Sequence, residues 1–104
     1  MARPKKKPSL PEMEAQAGKA AAMLKALSHE CRLLILCNLV DGEKTVSQLN
    51  ERIDLSQSAL SQHLARLRKD GLVTGRKEAQ AVYYCIASDD ARKVVSLMYD
   101  LYCS

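Results

Sequence analysis

The segment LSQSALSQHLARLRKDG, residues 55–71, constrains the fold of this chain more than any other stretch. Leu60, Leu64 and Leu67 recur at the spacing i, i+4 and i+7, which predicts a helix with one narrow apolar face. A serine before the first turn and a glycine after the last are suited to cap such a helix at its two ends. The sequence therefore predicts a helix that packs against a core through three leucines and turns polar side chains outward.

The polar side of this helix carries short hydrogen-bonding side chains, which suit the base edges exposed in the major groove of DNA. An ordinary surface helix also has a polar face, so the pattern alone leaves both interpretations open. Upstream, Thr45 and Gln48 have the T-x-x-Q spacing of a capping box, which predicts a short helix ending near Ile53. Because only a tight turn separates the two helices, their order predicts a helix-turn-helix.

After Gly71, residues 72–76 and 81–86 are rich in valine, tyrosine and isoleucine. They predict two strands joined by a polar tip at residues 77–80. A hairpin that follows a recognition helix directly, with basic residues at its tip, is a wing, although a plain structural hairpin stays possible. The remaining helices are predicted at residues 12–27, from the cap Ser28 to about Val40, and from the cap Ser88 to about Tyr102.

The predicted fold class is mainly α with a small β-hairpin, in the form of a winged helix-turn-helix. One domain for DNA binding and dimerisation is expected over residues 12–104, because 104 residues support a single core. Residues 1–11 combine three prolines with a basic run, which predicts a disordered basic arm. The first and last helices carry apolar faces, which in so small a domain favour a homodimer and match a near-palindromic operator.

The net charge of +4 comes from 16 basic and 12 acidic residues, and the basic run at residues 3–7 accounts for the surplus. The other charges are segregated, since residues 56–77 contain five bases and the single acid Asp70. Such a patch is typical of proteins that contact the phosphates of double-stranded DNA. We expect base-edge contacts from Gln57, Ser58, Ser61 and Gln62, and phosphate contacts from Arg66, Lys69, Arg76 and Lys77.

The chain has four cysteines and two histidines. The cysteines lack CxxC spacing, and His29 and His63 have no evident third ligand, so we expect neither a bound metal nor a cofactor. No apolar run reaches the length of a membrane span, which favours a cytoplasmic protein whose cysteines are thiols. Nothing indicates an enzyme, because a nucleotide-binding loop and a CxxC redox motif are both missing from the sequence.

The motifs ALSHECRLLILCNL, TVSQL, LSQSALSQHLARLRKDGLV and RKEAQAVYY, in this order, resemble the ArsR family of winged-helix repressors. The resemblance covers roughly residues 15–103 and departs from the common pattern at Glu30, where many members have proline. It implies a homodimer joined through the first and last helices, with the helix from Ser56 in the major groove and the wing on the DNA backbone. It also implies a DNA contact for His63, which belongs to the SQHL motif.

The tripeptides ILC, residues 35–37, and LYC, residues 101–103, resemble the persulfide-sensing branch of this family. The resemblance implies that Cys37 and Cys103 react with persulfides and become joined by a polysulfide or disulfide bridge that lowers operator affinity. The residues alone also allow a buried structural role for Cys37 and a tail thiol without a partner for Cys103. Cys31 lies about 240° around the helix from Cys37 and is interpreted as an exposed bystander. Cys85, in the second wing strand, is interpreted as a packing or incidentally exposed residue and not as a sensor.

Other functions stay open at this point. Two metal sites known in the family are absent here, since residues 45–53 contain no cysteine pair and Asp89 and Asp90 have no histidine partner on the last helix. The alternatives are a metal- or peroxide-responsive ArsR-type repressor, a regulator whose cysteines play no part, and a virulence-gene activator that displaces a silencer. A protein-interaction module built on the terminal helices is a further alternative, which salt-dependent binding to a palindromic duplex would exclude.

Overall fold

The computed structural model describes residues 7–103, which form five helices and one small antiparallel sheet. The predicted fold class, mainly α with a small hairpin in a winged helix-turn-helix, is confirmed. Residues 1–6, most of the predicted basic arm, lie outside the described residues, as does Ser104. In chain order the elements are α1 (Leu10–Leu27), α2 (Glu30–Asn38), β1 (Lys44–Thr45), α3 (Val46–Arg52), α4 (Gln57–Lys69), β2 (Val73–Glu78), β3 (Ala81–Ile86) and α5 (Asp89–Tyr102).

The first helix begins two residues before its predicted start. The Ser9 hydroxyl accepts a hydrogen bond from the backbone N–H of Glu12 at 3.3 Å, and the Glu12 carboxylate accepts one from the Ser9 N–H at 2.8 Å. This capping box satisfies two donors at the helix start, and Pro11 fits the first turn because its missing N–H would be unpaired there. Leu10 and Pro11 therefore belong to α1 and not to the arm.

The second helix is capped by His29 and not by Ser28, the predicted cap. The His29 Nδ1 atom accepts a hydrogen bond from the backbone N–H of Cys31 at 3.1 Å. Ser28 instead ends α1, where its hydroxyl donates to the Lys25 carbonyl at 2.8 Å. The shift of one residue fixes the imidazole of His29 at the start of α2.

The helix-turn-helix is formed by α3 and α4, as predicted. Thr45 and Gln48 make the reciprocal bonds of the capping box, at 2.9 and 3.1 Å, and the Ser56 hydroxyl caps α4 by accepting from the Ala59 N–H at 3.1 Å. Gly71 follows α4 with a φ of +77°, a left-handed conformation that glycine adopts without steric penalty. The predicted apolar face of α4 is buried, since Leu60, Leu64 and Leu67 are each at most 1% exposed.

The sheet of the wing contains a third strand, β1, which was not predicted from the sequence. The strand order is β1-β3-β2, with Lys44 of β1 opposite Tyr84 of β3. In the hairpin, Lys77 pairs with Val82 and Glu78 with Ala81, so the turn consists of residues 79–80 alone. The predicted tip at residues 77–80 was therefore too long, because the strand pairing of β2 continues through Glu78.

The tight turn of the wing offers a test of its backbone conformation. Ala79 has a φ of +56°, which costs a residue with a Cβ roughly 1–2 kcal/mol. We expect Ala79→Gly to raise the free energy of unfolding by about 0.5–1 kcal/mol, because glycine removes this strain but is more flexible when unfolded. Urea denaturation at fixed protein concentration measures the change. Ala65→Gly, at an exposed position within α4, is the control and should instead destabilise by about 1 kcal/mol. If both variants lost stability equally, the turn conformation would be wrong.

The core is aliphatic and continuous from the helices to the sheet, and no polar side chain of residues 7–103 is buried in it. Large apolar side chains are left exposed on α1, α2 and α5. They are Leu10, Met13, Leu24, Leu34, Leu97, Tyr99, Leu101 and Tyr102. Among the described residues, none of the helices is both long enough and apolar enough to span a membrane.

Candidate nucleic-acid interface and cysteine sites

The outer face of α4 carries the four side chains predicted to contact base edges. Because the leucines at i, i+4 and i+7 fix the inner face of the helix, these side chains point away from the core. All four are exposed, and none makes a side-chain hydrogen bond within the part of the chain that the structure describes. Their donors and acceptors are therefore available to a ligand. They are Gln57, Ser58, Ser61 and Gln62.

The basic side chains predicted to contact phosphate are exposed on α4 and the wing. Lys69 and Lys77 are exposed, and Arg66 lies 3.5 Å from the Asp70 carboxylate in an ion pair that is itself open to solvent. Such a pair contributes little to stability, so Arg66 exchanges Asp70 for a phosphate at small cost.

The Arg76 side chain, unlike Lys69 and Lys77, already makes ion pairs within the described part of the protein. Its guanidinium donates to Glu43 at 2.6 Å and to Glu78 at 2.5 Å, and it lies 4.9 Å from the centre of the Tyr83 ring. The hydrogen bonds to these two carboxylates raise the pKa of Arg76 above its usual range. These bonds use three of the five guanidinium N–H donors, so a phosphate contact by Arg76 would use the other two or compete with the carboxylates. Glu43 was missed in the sequence because it precedes β1, far from the wing along the chain.

His63 lies on the flank of α4 and faces α2. Its ring is half-buried, and its centre is 4.8 Å from that of the His29 ring. Burial lowers the pKa of His63, and the electrostatic interactions with His29 and Arg32 lower it further. The same side chain is predicted to contact DNA, so this role would compete with its contact to His29.

The two cysteines predicted to form a sensor lie on packed helices. Cys37 is half-buried near the end of α2, and Cys103 is exposed directly after α5, which packs against α2. Burial raises the pKa of the Cys37 thiol, and the negative charge of a Cys103 thiolate raises it further. The two thiols therefore differ in their access to solvent and to a reagent.

Of the other two cysteines, Cys31 has different surroundings from those predicted. Cys31 is half-buried and not exposed, and its sulfur lies within 4.8 Å of nitrogen atoms of both His29 and His63. The expectation that the two histidines lack a converging third ligand was therefore wrong. The spacing His-x-Cys at residues 29–31 was a signal for part of this cluster, but His63 is too distant in sequence to be linked to it. Cys85 is half-buried in β3, opposite Thr74.

Known proteins of similar sequence share this fold, including its helix-turn-helix. Residues 29–74 match the bacterial regulatory protein family arsR. Transcriptional activator HlyU from Vibrio cholerae serotype O1 is 53% identical over 95 residues, which are 91% of this chain and 88% of HlyU. The solved structure of reduced HlyU from Vibrio cholerae N16961 superposes with a TM-score of 0.86 and covers 91% of this chain and 100% of that one.

Two more distant solved structures share the fold. The transcriptional repressor BigR from Xylella fastidiosa is 36% identical, with a TM-score of 0.84 over 91% of this chain and 94% of its own. The homodimeric winged helix-turn-helix DNA-binding domain of Mb0332 from Mycobacterium bovis is 30% identical, with a TM-score of 0.73 over 90% of this chain and 86% of its own. The chain therefore belongs to the arsR family of DNA-binding transcriptional regulators.

Proposed function

We propose that this regulator binds a near-palindromic operator as a homodimer and releases it when persulfides join Cys37 to Cys103. The observation that carries the sensor proposal is the position of the two thiols. One is fixed and half-buried on α2, and the other is exposed at the end of the helix that packs against α2. A sensing pair needs this combination of a thiol that the reagent can reach and a second thiol that captures the product.

The homodimer is proposed from the apolar surface of the terminal helices. Leu24 on α1 and Leu101 on α5 are 59% and 61% exposed, and large apolar side chains left open to solvent on two helices favour an interface. The Mb0332 domain, which shares the fold, is homodimeric. A twofold dimer through α1 and α5 would cover these side chains and present two copies of α4.

DNA binding follows from the geometry of such a dimer. Each α4 would enter the major groove of one half-site, and the centres of two half-sites on one face of DNA are about 34 Å apart. The wing would lie on the neighbouring backbone, where Lys77 meets phosphate. Bases would then be distinguished by the amide and hydroxyl side chains of α4, and the lysines and arginines would supply affinity for any sequence.

Two alanine variants of α4 separate these roles. We expect Gln62→Ala to lower the preference for operator over random duplex by about tenfold, since a lost base contact is worth roughly 1–3 kcal/mol. Lys69→Ala should weaken both duplexes alike and reduce the slope of log affinity against log salt by about one. Fluorescence anisotropy with both duplexes over a salt series measures both quantities. If Gln62→Ala left the preference unchanged, the assignment of base contacts would be wrong.

The sensing chemistry begins at the accessible thiol. The Cys103 thiolate attacks the sulfane sulfur of a low-molecular-weight persulfide, takes up that sulfur and releases the thiolate of the reagent. The Cys37 thiolate then attacks the Sγ atom of Cys103, breaks its bond to the added sulfur and expels that sulfur as HS⁻, which leaves a disulfide. If Cys37 already carries an added sulfur, the same displacement leaves a trisulfide. Burial raises the pKa of the Cys37 thiol, which lowers its thiolate fraction, and the exposed Cys103 is therefore favoured for the first step.

The bridge would act on DNA binding through α2. This helix contacts α4 as well as α5, so a covalent link between α2 and the end of α5 ties the dimerisation helices to the support of the recognition helix. A small rotation of one α4 relative to the other is enough to misalign a half-site. A coupling free energy of about 1–3 kcal/mol corresponds to a 5–150-fold loss of affinity.

The experiment that tests this function compares operator affinity of the reduced protein before and after glutathione persulfide. Mass spectrometry of the peptides that contain Cys37 and Cys103 is performed on the same samples. We expect affinity to fall as a species with the two peptides linked by two or more sulfur atoms accumulates. Unchanged affinity in a fully bridged sample would refute the sensor proposal and leave DNA binding intact.

We also propose a second possible effect of operator binding on transcription, which is activation instead of repression. The 53% identical relative HlyU is named a transcriptional activator, whereas BigR is named a repressor. An activator of this fold would work by displacing a silencer from overlapping DNA. Transcription in vitro from an operator-containing promoter, with and without a DNA-coating silencer, distinguishes the two: a repressor lowers transcription in both reactions, and the proposed activator raises it only when the silencer is present.

A further inference from the structure

We propose that His29, Cys31 and His63 form a binding site for a divalent transition metal ion such as Zn²⁺, which links the start of α2 to the recognition helix α4. One ligand atom from each of the three residues lies within 4.8 Å of the other two. His29 and Cys31 come from the first turn of α2, and His63 comes from the middle of α4. The site is separate from the Cys37 and Cys103 pair, which belongs to the far end of α2.

The ligand set suits the ion. Two imidazole nitrogens and one thiolate are ligands that Zn²⁺ prefers, and three protein ligands with a water in the fourth position are typical of open zinc sites. In a tetrahedral site with Zn–N of about 2.1 Å and Zn–S of about 2.3 Å, ligand atoms are roughly 3.3–3.7 Å apart. The longest separation, 4.8 Å, therefore has to shorten by roughly 1 Å. Side-chain rotation of His29, which is exposed, allows this change.

Binding requires a rearrangement at the cap of α2. The Nδ1 atom of His29 accepts the Cys31 N–H, so the proton of the neutral ring is on Nε2. A metal ion needs a nitrogen without a proton. Either Nδ1 leaves the backbone N–H and binds the ion, or the proton moves to Nδ1 and Nε2 binds. In both cases the metal bond replaces the cap, and Cys31 loses its thiol proton to solvent.

The surroundings of the site determine how an ion approaches it and which charges the ion meets. His29 is exposed and also lines an open cleft of about 780 Å³ between α1 and the end of α4, so an ion can approach the site from the His29 side. Lys25, Arg32 and Arg66 line the same cleft and oppose the approach of a cation. Arg32 lies near His63 and adds positive charge, which opposes a dication. The thiolate of Cys31 provides the compensating negative charge, so a site without this cysteine is expected to bind much more weakly.

The test measures metal binding by the protein after its thiols are reduced with a phosphine. Zn²⁺ affinity is determined by competition with a chromophoric chelator, and Co²⁺ serves as a spectroscopic probe. We expect one ion per protomer and a thiolate-to-cobalt charge-transfer band with ligand-field bands of a tetrahedral site. Cys31→Ser should abolish the charge-transfer band and weaken Zn²⁺ affinity at least about tenfold. His63→Gln should weaken it similarly.

Two control variants keep the outcome interpretable. His29→Asn removes the imidazole but retains a good helix cap, so it should lose metal affinity while its circular dichroism and melting temperature stay close to those of the unaltered protein. The double variant Cys37→Ser, Cys103→Ser should bind Zn²⁺ with unchanged affinity. The proposal is overturned if the unaltered protein binds no ion. It is equally overturned if the charge-transfer band survives Cys31→Ser or disappears in the double variant.

Discussion

Leu64→Ala is expected to lower the free energy of unfolding by about 2–5 kcal/mol, which is a large part of the total stability of a domain of this size. Leu64 is 1% exposed and lies between Leu60 and Leu67 on the buried face of α4. Leu64 belongs to the continuous core, and α4 packs against α2, α3 and β2, so a cavity at this position weakens the packing that holds the recognition helix. Urea denaturation at fixed protein concentration measures the loss, which should lower the denaturation midpoint.

The matched control for this prediction is an outward position on the same helix. Ala65→Ser changes an exposed side chain one residue away and is expected to alter the free energy of unfolding by less than about 0.5–1 kcal/mol. A loss below about 1 kcal/mol for Leu64→Ala would mean that its side chain is not part of a close-packed core. The orientation of α4, and with it the assignment of its polar face to DNA, would then have to be revised.

Helix α4 was predictable because everything that defines it is local. The spacing of its leucines fixes the buried face, the Ser56 hydroxyl bonds to a backbone N–H three residues away, and Gly71 supplies the one conformation that ends it. The capping box of Thr45 and Gln48 is equally local, and it too was found in the sequence. Contacts between residues within one turn of a helix can be predicted directly from their spacing in the sequence.

The features that could not be predicted from the sequence depend on contacts between residues far apart in the chain, or on which of two adjacent residues caps a helix. Strand β1 has two residues and forms only because Lys44 and Thr45 meet β3 across the sheet. The hydrogen bond from Arg76 to Glu43 joins residues 33 positions apart, so no periodicity signals it. Residue preferences favour Ser28 over His29 as the cap of α2. Ser28, however, keeps a helical backbone conformation as the C-cap of α1, and His29 has the extended conformation that an N-cap requires.

The candidate sites also differ in whether they depend on local spacing or on contacts between distant elements. The polar face of α4 could be predicted residue by residue, because burial of one helix face determines exposure of the other. The importance of Cys37 and Cys103 came from a family resemblance, since spacing does not measure the distance between α2 and α5. The cluster of His29, Cys31 and His63 was not predicted, because it forms only when α4 packs against the start of α2.

Cys103→Ser is expected to abolish the response to persulfide while leaving the operator affinity of the reduced protein unchanged. In the unaltered protein, persulfide should lower operator affinity by roughly 10–100-fold, within the usual range of coupling free energies. Serine cannot take up sulfane sulfur, so no bridge to Cys37 forms. Because the Cys103 side chain is exposed, its replacement leaves the core intact. Anisotropy titrations before and after glutathione persulfide measure the ratio of the two affinities.

Cys37→Ser should have the same effect on the response, for the complementary reason that Cys103 then gains sulfur but has no partner thiol. Cys85→Ser is the matched control, since Cys85 is also half-buried but lies in the wing, and it should respond like the unaltered protein. The raised pKa of Cys37 predicts the pH dependence of the second step. Its thiolate fraction grows as pH rises towards that pKa, so bridge formation should accelerate from pH 7 to pH 9. A bridge whose rate is independent of pH, or a response that survives either serine variant, would show that Cys37 does not capture the sulfur carried by Cys103.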